Sequence, residues 1–328
     1  MDDTADGSGE AAPVKVDCGI IVVTYNSAGH IGKLLEGLPA ATPGLRIRCL
    51  VVDNNSHDET VSILRSRDDV TVVEAGANLG YAGAINMGRS LIGPCSATLI
   101  LNPDLLLESG AVVELYRALG QANVGVAVPM LLNLGGELYP SIRREPSLTR
   151  AFGDAVFGAH WASKPGWLSE TVRDRCAYQA AHHVAWAGGA ALLIAEDCDD
   201  AVGEWDEERF FLYSEETDFA VRARRQGYRI CYVPTARAYH EDGGSGRSPA
   251  LAALMAVNRV RYYEKYHGRL ASALFRAVVA LHYALRSARP EQRMVLRTVA
   301  RRSLWSRLPH GDRRSTPQAT QHETPART

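Results

Sequence analysis

Three acids within four residues, Glu215-Glu216-Thr217-Asp218, follow the apolar run Phe210-Phe211-Leu212-Tyr213 and open a segment of helical character. Crowding and partial burial raise a carboxylate's pKa, while a helix N-terminus lowers it. A carboxylate held between those effects can take a proton from a hydroxyl near neutral pH. Plain acidic capping of a helix start is the competing reading. A second polar pair ends the run Leu99-Ile100-Leu101-Asn102-Pro103-Asp104. Pro103 cannot continue a sheet ladder, so the chain turns there and leaves Asn102 and Asp104 at the strand's carboxyl end. Asp104 could hold a hard cation, because Mg²⁺ takes one or two carboxylates together with substrate phosphates. Its alternative role is to cap the helix that follows.

Three further strand ends carry polar groups: Thr24-Tyr25-Asn26-Ser27, Asp53-Asn54-Asn55-Ser56 and Asn78-Leu79-Gly80-Tyr81. Asp53 could accept the N3–H of a uracil or thymine ring. Asn26 or Asn78 could bond the base or ribose, and Asp104, through a metal, could face a diphosphate. Taken singly, each is as readily a turn or cap residue. Four strand ends in succession, all bringing polar groups to one edge, favour a ligand site, since open α/β sheets bind at the carboxyl ends of their strands. The chain has no G-x-x-x-x-G-K-[ST] loop and no G-x-G-x-x-G after its first strand; Gly76, Gly80 and Gly83 are wrongly spaced for one.

The elements that must position these groups alternate. Strands are expected at Cys18–Thr24, Cys49–Val52, Val70–Val73, Ala97–Leu101 and Val124–Val128. Helices are expected around Ile31–Leu38, Val61–Leu64, Tyr81–Ser90 and Ala111–Leu119. That alternation calls for an α/β fold, a mostly parallel sheet with helices on both faces. The stretch from Met130 to His183 reads only as loops and short helices. A turn feeding a buried strand follows over Ala187–Ile194, then a helix from Glu215 to Gln226 stopped by Gly227, and a strand Tyr228–Val233 closed by Pro234. The rest is helical. Four segments result: a disordered tail 1–14, a catalytic domain 15–248, a helical extension 249–304 and a loose polar tail 305–328.

Composition bounds the function. The chain has 328 residues, 46% hydrophobic and 22% charged, with a net charge of -1, which gives no reason to expect nucleic acid as a partner. Six scattered cysteines without C-x-x-C spacing speak against a zinc or redox site. The acidic start lacks a signal peptide and no apolar run reaches the ~20 residues of a membrane span, so the cytoplasm is the expected location. From Arg286 to Arg314 nine arginines stand against Glu291 and Asp312. They suit an anionic surface such as the inner face of a membrane, or a solvated tail. Leu270, Leu274, Val278, Leu281 and Leu285 share one helix face, which either packs on the catalytic domain or rests on a membrane. Arg276 and His282 fit neither a span nor a deep insertion.

The segments Val22–Asn26, Val51–Ser56, Asn78–Gly80, Leu101–Asp104, Trp186–Ala190 and Phe211–Phe219, continuing to His240, closely resemble family 2 glycosyltransferases, most of all the rhamnosyltransferase and galactofuranosyltransferase-like branch. The resemblance covers about residues 16–245. It implies a GT-A fold, a nucleotide-diphosphate sugar donor, a divalent cation (Mg²⁺ or Mn²⁺) and inversion at the anomeric carbon. Carried over, Asp53 reads the base, within a donor site of Thr24, Asn26, Asn55, Asn78, Gly80 and Asn102. Asn102-Pro103-Asp104 stands at the family's metal motif, often Asp-x-Asp, so only Asp104 brings a charge, and His240 aligns with a metal-binding histidine. Glu216 takes the place of the base, usually Asp, with Asp218 as runner-up and Glu215 assisting through the metal or acceptor. dTDP-rhamnose is the first expectation for the donor, ahead of UDP- and GDP-sugars. The acceptor would be a lipid-linked glycan or a small natural product. A GT-A-like protein that binds a nucleotide sugar without transferring it is the rival. A nucleotidyltransferase would need a Gly-rich basic loop that Thr24–Lys33 lacks.

Overall fold

The computed structural model describes residues 14–158, 164–241 and 248–311. The expected N-terminal tail up to residue 13 lies outside them. Strand β1 (Val16–Thr24) shows why the chain layers as it does. Cys18, Ile20 and Val22 pack toward one side, with Ile31, Leu34 and Leu35 of α1 (Ile31–Ala41). Ile21 and Val23 pack toward the other, with Ala82, Ala84 and Ile85 of α3 (Gly80–Leu91). A run that is apolar at every position is covered on both faces, and three layers follow. β2 (Ile47–Asp53), α2 (Thr60–Arg65), β3 (Thr71–Glu74) and β4 (Cys95–Leu101) complete this half, with β1 hydrogen-bonded in parallel to β2 and β4.

The remaining strands are β5 (Leu105–Leu107), β6 (Val124–Leu132), β7 (Ile142–Arg143), β8 (His182–Val184), β9 (Trp186–Ala187), β10 (Ala191–Ala195) and β11 (Arg229–His240); α4 (Ala111–Leu119) lies between β5 and β6. The main sheet runs β3-β2-β1-β4-β10-β6-β11-β5, with β8 beside β11. The sequence suggests strands in succession, but β10 enters antiparallel between β4 and β6. β11 also does not stop at Pro234. Its register against β6 shifts between Val233 and Arg237, and this irregularity carries the proline through the sheet before pairing resumes. Asp104 caps no helix: β5 follows it and pairs antiparallel with the end of β11.

The second half adds α5 (Leu148–Phe157), α6 (Glu196–Val202), α7 (Glu215–Arg225), α8 (Pro249–Tyr266), α9 (Arg269–Ala284) and α10 (Pro290–Ala300). α8, α9 and α10 share a core that includes Ala151 of α5 and draws in Phe211, Leu212 and Tyr213 from the loop before α7. The face of α9 read from the leucine spacing is not the packed one. Ser272, Phe275 and Val279 are buried, while Leu270, Leu274, Leu281 and Leu285 are exposed. The expected loose tail starts later than 305, since Arg302–Arg307 forms a short helix and Leu308 is buried; residues 312–328 are outside the described ones. No helix among the described residues is long and apolar enough to cross a membrane.

Candidate functional site

A cavity of about 600 Å³ opens at the carboxyl ends of β1 and β4 and reaches the start of α7. Of the expected donor-side residues, Thr24, Asn26, Asn78, Gly80 and Asn102 line it. Asn26 sits in the left-handed region (φ 52°), where its backbone N–H donates to Ser56 Oγ at 2.8 Å and its Oδ1 accepts from the His57 N–H at 2.8 Å. Asn78 Oδ1 accepts from the Gly80 N–H at 3.0 Å. Gly80 has φ 77°, and a Cβ there would stand 2.2 Å from the Phe211 carbonyl oxygen. That carbonyl accepts from the Tyr81 N–H at 2.7 Å, so the backbones must touch.

Two expected donor ligands are placed differently. Asp53 is 1% exposed and does not line the cavity. Its Oδ1 accepts from the Thr24 and Ser56 hydroxyls at 2.8 and 2.5 Å, and its Oδ2 from the Ser56 N–H at 2.8 Å. The carboxylate braces the β2–α2 loop from beneath. Asn55 is exposed, with φ 65°, and is also off the cavity. Its neighbour Asn54, for which the sequence suggested no role, is buried and lines the cavity. Asn54 Nδ2 donates to the Gly80 carbonyl at 3.0 Å and Oδ1 accepts from the Leu79 N–H at 3.2 Å, tying two strand-end loops together.

The pairing of Leu105 with His240 brings Asp104 and His240 side by side. Asp104 Oδ1 lies 3.2 Å from His240 Nε2, is buried, and accepts no hydrogen bond among the described residues. Tyr139 packs edge-on against the imidazole, with centroids 5.7 Å apart. A carboxylate oxygen in this state beside an imidazole is a donor pair that suits Mg²⁺ or Mn²⁺. Among the described residues no group of three His, Cys, Asp or Glu could hold an ion. Neither Glu241 nor His30 was singled out by the sequence; they pair at 3.1 Å and His30 lines the cavity.

The acidic segment divides by direction. Tyr213 and Ser214 both take left-handed conformations (φ 72° and 75°) immediately before α7. Two such residues in succession are strained and persist only where their surroundings hold them. Asn258 Nδ2, fully buried on α8, supplies that hold by donating to the Leu212 and Tyr213 carbonyls at 2.9 and 3.2 Å. The kink turns Glu215 and Glu216 into the cavity. Glu215 is buried, and its Oε2 has no hydrogen-bond partner among the described residues. Burial, then the neighbouring Glu216, push its carboxyl far above the ordinary range. Burial raises Glu216 to about 7, against the opposing pull of backbone N–H groups and of Arg143. Arg143 lines the cavity as well and was not foreseen.

Asp218 does not reach the cavity. It is 0% exposed and receives Lys265 Nζ and the Tyr266 hydroxyl on Oδ1, each at 2.6 Å, and Arg222 Nε on Oδ2 at 2.8 Å. A carboxylate so paired fixes α7 to α8, while Glu216 is the acid that faces the cavity. Tyr81 links the two sides of the cavity. Its hydroxyl donates to the Gly189 carbonyl at 3.0 Å. Its phenol is raised by burial first, then by Glu215, Glu216 and Asp104, so all three carboxylates act on one space. Gly189 lies against Glu216, its Cβ position 3.5 Å from the glutamate Cβ. The arrangement sets a carboxylate raised to about 7 at one side of a cleft and an Asp–His pair with side-chain amides at the other.

A profile described as Glycosyl transferase family 2 matches residues 19–168. The chain is 31% identical over 244 residues to the N-acetylglucosaminyl-diphospho-decaprenol L-rhamnosyltransferase of Mycobacterium tuberculosis, covering 70% of this chain and 78% of that protein. It is 30% identical over 232 residues to a low-salt glycan biosynthesis hexosyltransferase of Haloferax volcanii, covering 69% of this chain and 67% of that protein. Among solved structures it is similar to a mannosyltransferase from Pyrobaculum calidifontis in complex with GDP-Man and Mn²⁺, with a TM-score of 0.53, 17% identity, and coverage of 89% and 88% of the two chains. It is also similar to GalNAc-T7 with UDP, GalNAc and Mn²⁺, with a TM-score of 0.52 and 13% identity over 81% of this chain and about half (48%) of that one. These structures share the expected GT-A architecture.

Proposed function

The chain belongs to glycosyl transferase family 2, in its rhamnosyltransferase-like branch, and from that premise we propose how its cleft transfers a sugar from a nucleotide-diphosphate donor to an acceptor hydroxyl. Glu216 is the base. The acceptor hydroxyl loses its proton to the Glu216 carboxylate while its oxygen attacks the anomeric carbon, and the nucleoside diphosphate leaves from the opposite face with inversion. Burial, then the neighbouring Glu216, raise the Glu215 carboxyl well above its ordinary range, which disfavours a second negative charge beside the base. Thr24, Asn26, Asn78 and Asn102 offer the nucleoside and diphosphate their hydrogen-bonding groups. Asp104 and His240 would hold a divalent cation, which when bound supplies positive charge against the diphosphate. The observation that carries this reading is the meeting of Glu216, raised to about 7, with Asp104 in a single cavity.

The named activity of the mycobacterial relative supports L-rhamnose as the sugar transferred and a lipid-linked diphospho-sugar as acceptor, and the family resemblance adds dTDP as its carrier. Thermal-shift measurements with dTDP-L-rhamnose, UDP-sugars and GDP-sugars, with Mg²⁺ or Mn²⁺ and again with chelator, test the donor side. One donor class should stabilise the protein, by about 3 kcal/mol at a hundredfold excess over its Kd, and chelation should remove most of that gain. Addition of a lipid-linked N-acetylglucosaminyl diphosphate should then release the nucleoside diphosphate. If no donor shifts the melting temperature with either ion, the proposal is wrong.

A further inference from the structure

We propose that the helical layer docks on an anionic lipid bilayer through the outer face of α9. Leu270, Leu274, Leu281 and Leu285 are 76, 50, 36 and 58% exposed. The exposed Ala273, Ala277 and Ala284 fill the positions between them. At 100° per residue these seven share one stripe, about 22 Å long at the helical rise. No charged side chain interrupts it. Arg276 and His282, which looked like interruptions in the sequence, turn off the stripe and are half-buried, and burial lowers His282 to about 4. On α5, packed beside α9, Phe152, Val156 and Phe157 add exposed apolar surface.

Charge selects the occupant. From Arg269 to Arg307 there are nine arginines and a single acid, Glu291. Arg269 and Arg289 stand exposed at the two ends of the stripe, and Arg293, Arg297 and Arg301 are exposed on and just after α10. A two-fold pairing of such faces would set arginines against arginines with one acid per copy to offset them. An anionic headgroup layer instead meets the exposed arginines with an opposite charge while the leucines enter the acyl boundary. The stripe lies along the surface, as expected where no described helix can span. The same helical layer holds the Leu212–Tyr213 kink through Asn258, and Leu251 of α8 lines the cavity, with exposed Met255 one turn further along. Docking this layer would bring the cleft to an acceptor carried in the bilayer.

The test is flotation of the full chain with vesicles of phosphatidylcholine alone and of phosphatidylcholine mixed with phosphatidylglycerol, with no donor or metal present. The wild type should bind the mixed vesicles at least about tenfold more tightly than the neutral ones, and added salt should weaken that binding. Leu274→Glu/Leu281→Glu should lower it by about tenfold or more, without loss of donor-induced stabilisation. Leu274→Ser/Leu281→Ser repeats the test should the double glutamate variant fold poorly. Absence of wild-type binding, or binding undiminished in both variants, overturns the proposal. So does a wild-type dimer that the variants convert to monomer without changing vesicle binding. Because vesicle binding is read without catalysis, its failure and that of the transferase reading are separate results.

Discussion

Glu216 and Asp218 lie two residues apart and do opposite work, a difference made by what faces them. Glu216 meets a cavity, and burial raises it to about 7. A base must be ionised to act, so transfer should rise with pH through about 7 and level off above it, as measured by initial rates at saturating donor. A profile flat from pH 5 to 9 would remove Glu216 from the role. Asp218 meets Lys265, Tyr266 and Arg222. Asp218→Ala leaves two cations near a void and should cost about 3–5 kcal/mol in urea unfolding. At this scale residue types and places were legible in the sequence, but the directions of the side chains were not. Asp53 looked like a base reader, yet Thr24 and Ser56 occupy it; Asp218 was the runner-up base, yet Arg222 nearby and Lys265 and Tyr266, 47 and 48 residues further on, hold it.

Between elements, the site is assembled by register and by close backbone contact. His240 reaches Asp104 because β5 pairs with the last residues of β11, and that pairing requires β11 to pass Pro234 with a shift in register. Such non-local pairing leaves no periodic signal, so only the resemblance brought His240 forward. β1, β2, β4 and β6 were readable as buried apolar runs and their helices as repeats every three to four residues, whereas β5 was not foreseen. The insertion of β10 was not, since its partners are set by topology. Gly80 shows a local rule that could be read only in part. Its left-handed conformation and its contact with Phe211 exclude a side chain. Gly80→Ala should cost on the order of 2–4 kcal/mol and sharply reduce donor-induced stabilisation; a variant with unchanged stability and donor response would show that the contact is dispensable.

In the whole molecule, the sheet supplies the donor side of the cleft and the helical layer secures the acid side. Asn258 of α8 holds the strained Leu212–Tyr213 carbonyls, so α8 belongs to the site as much as the strand ends do. The three-layer half was legible from alternation alone. The helical layer was legible as helices but not in orientation, because a leucine stripe marks an apolar face without saying whether protein covers it. The most direct measurement compares Glu216→Gln with the wild type for donor-induced thermal stabilisation and for sugar transfer, on the same preparations. The variant should keep its donor shift within about a degree and lose transfer by about 10²–10⁴-fold at every pH. Transfer at the wild-type rate by a variant that binds donor normally would contradict the assignment of the base, and with it the reading of the cleft.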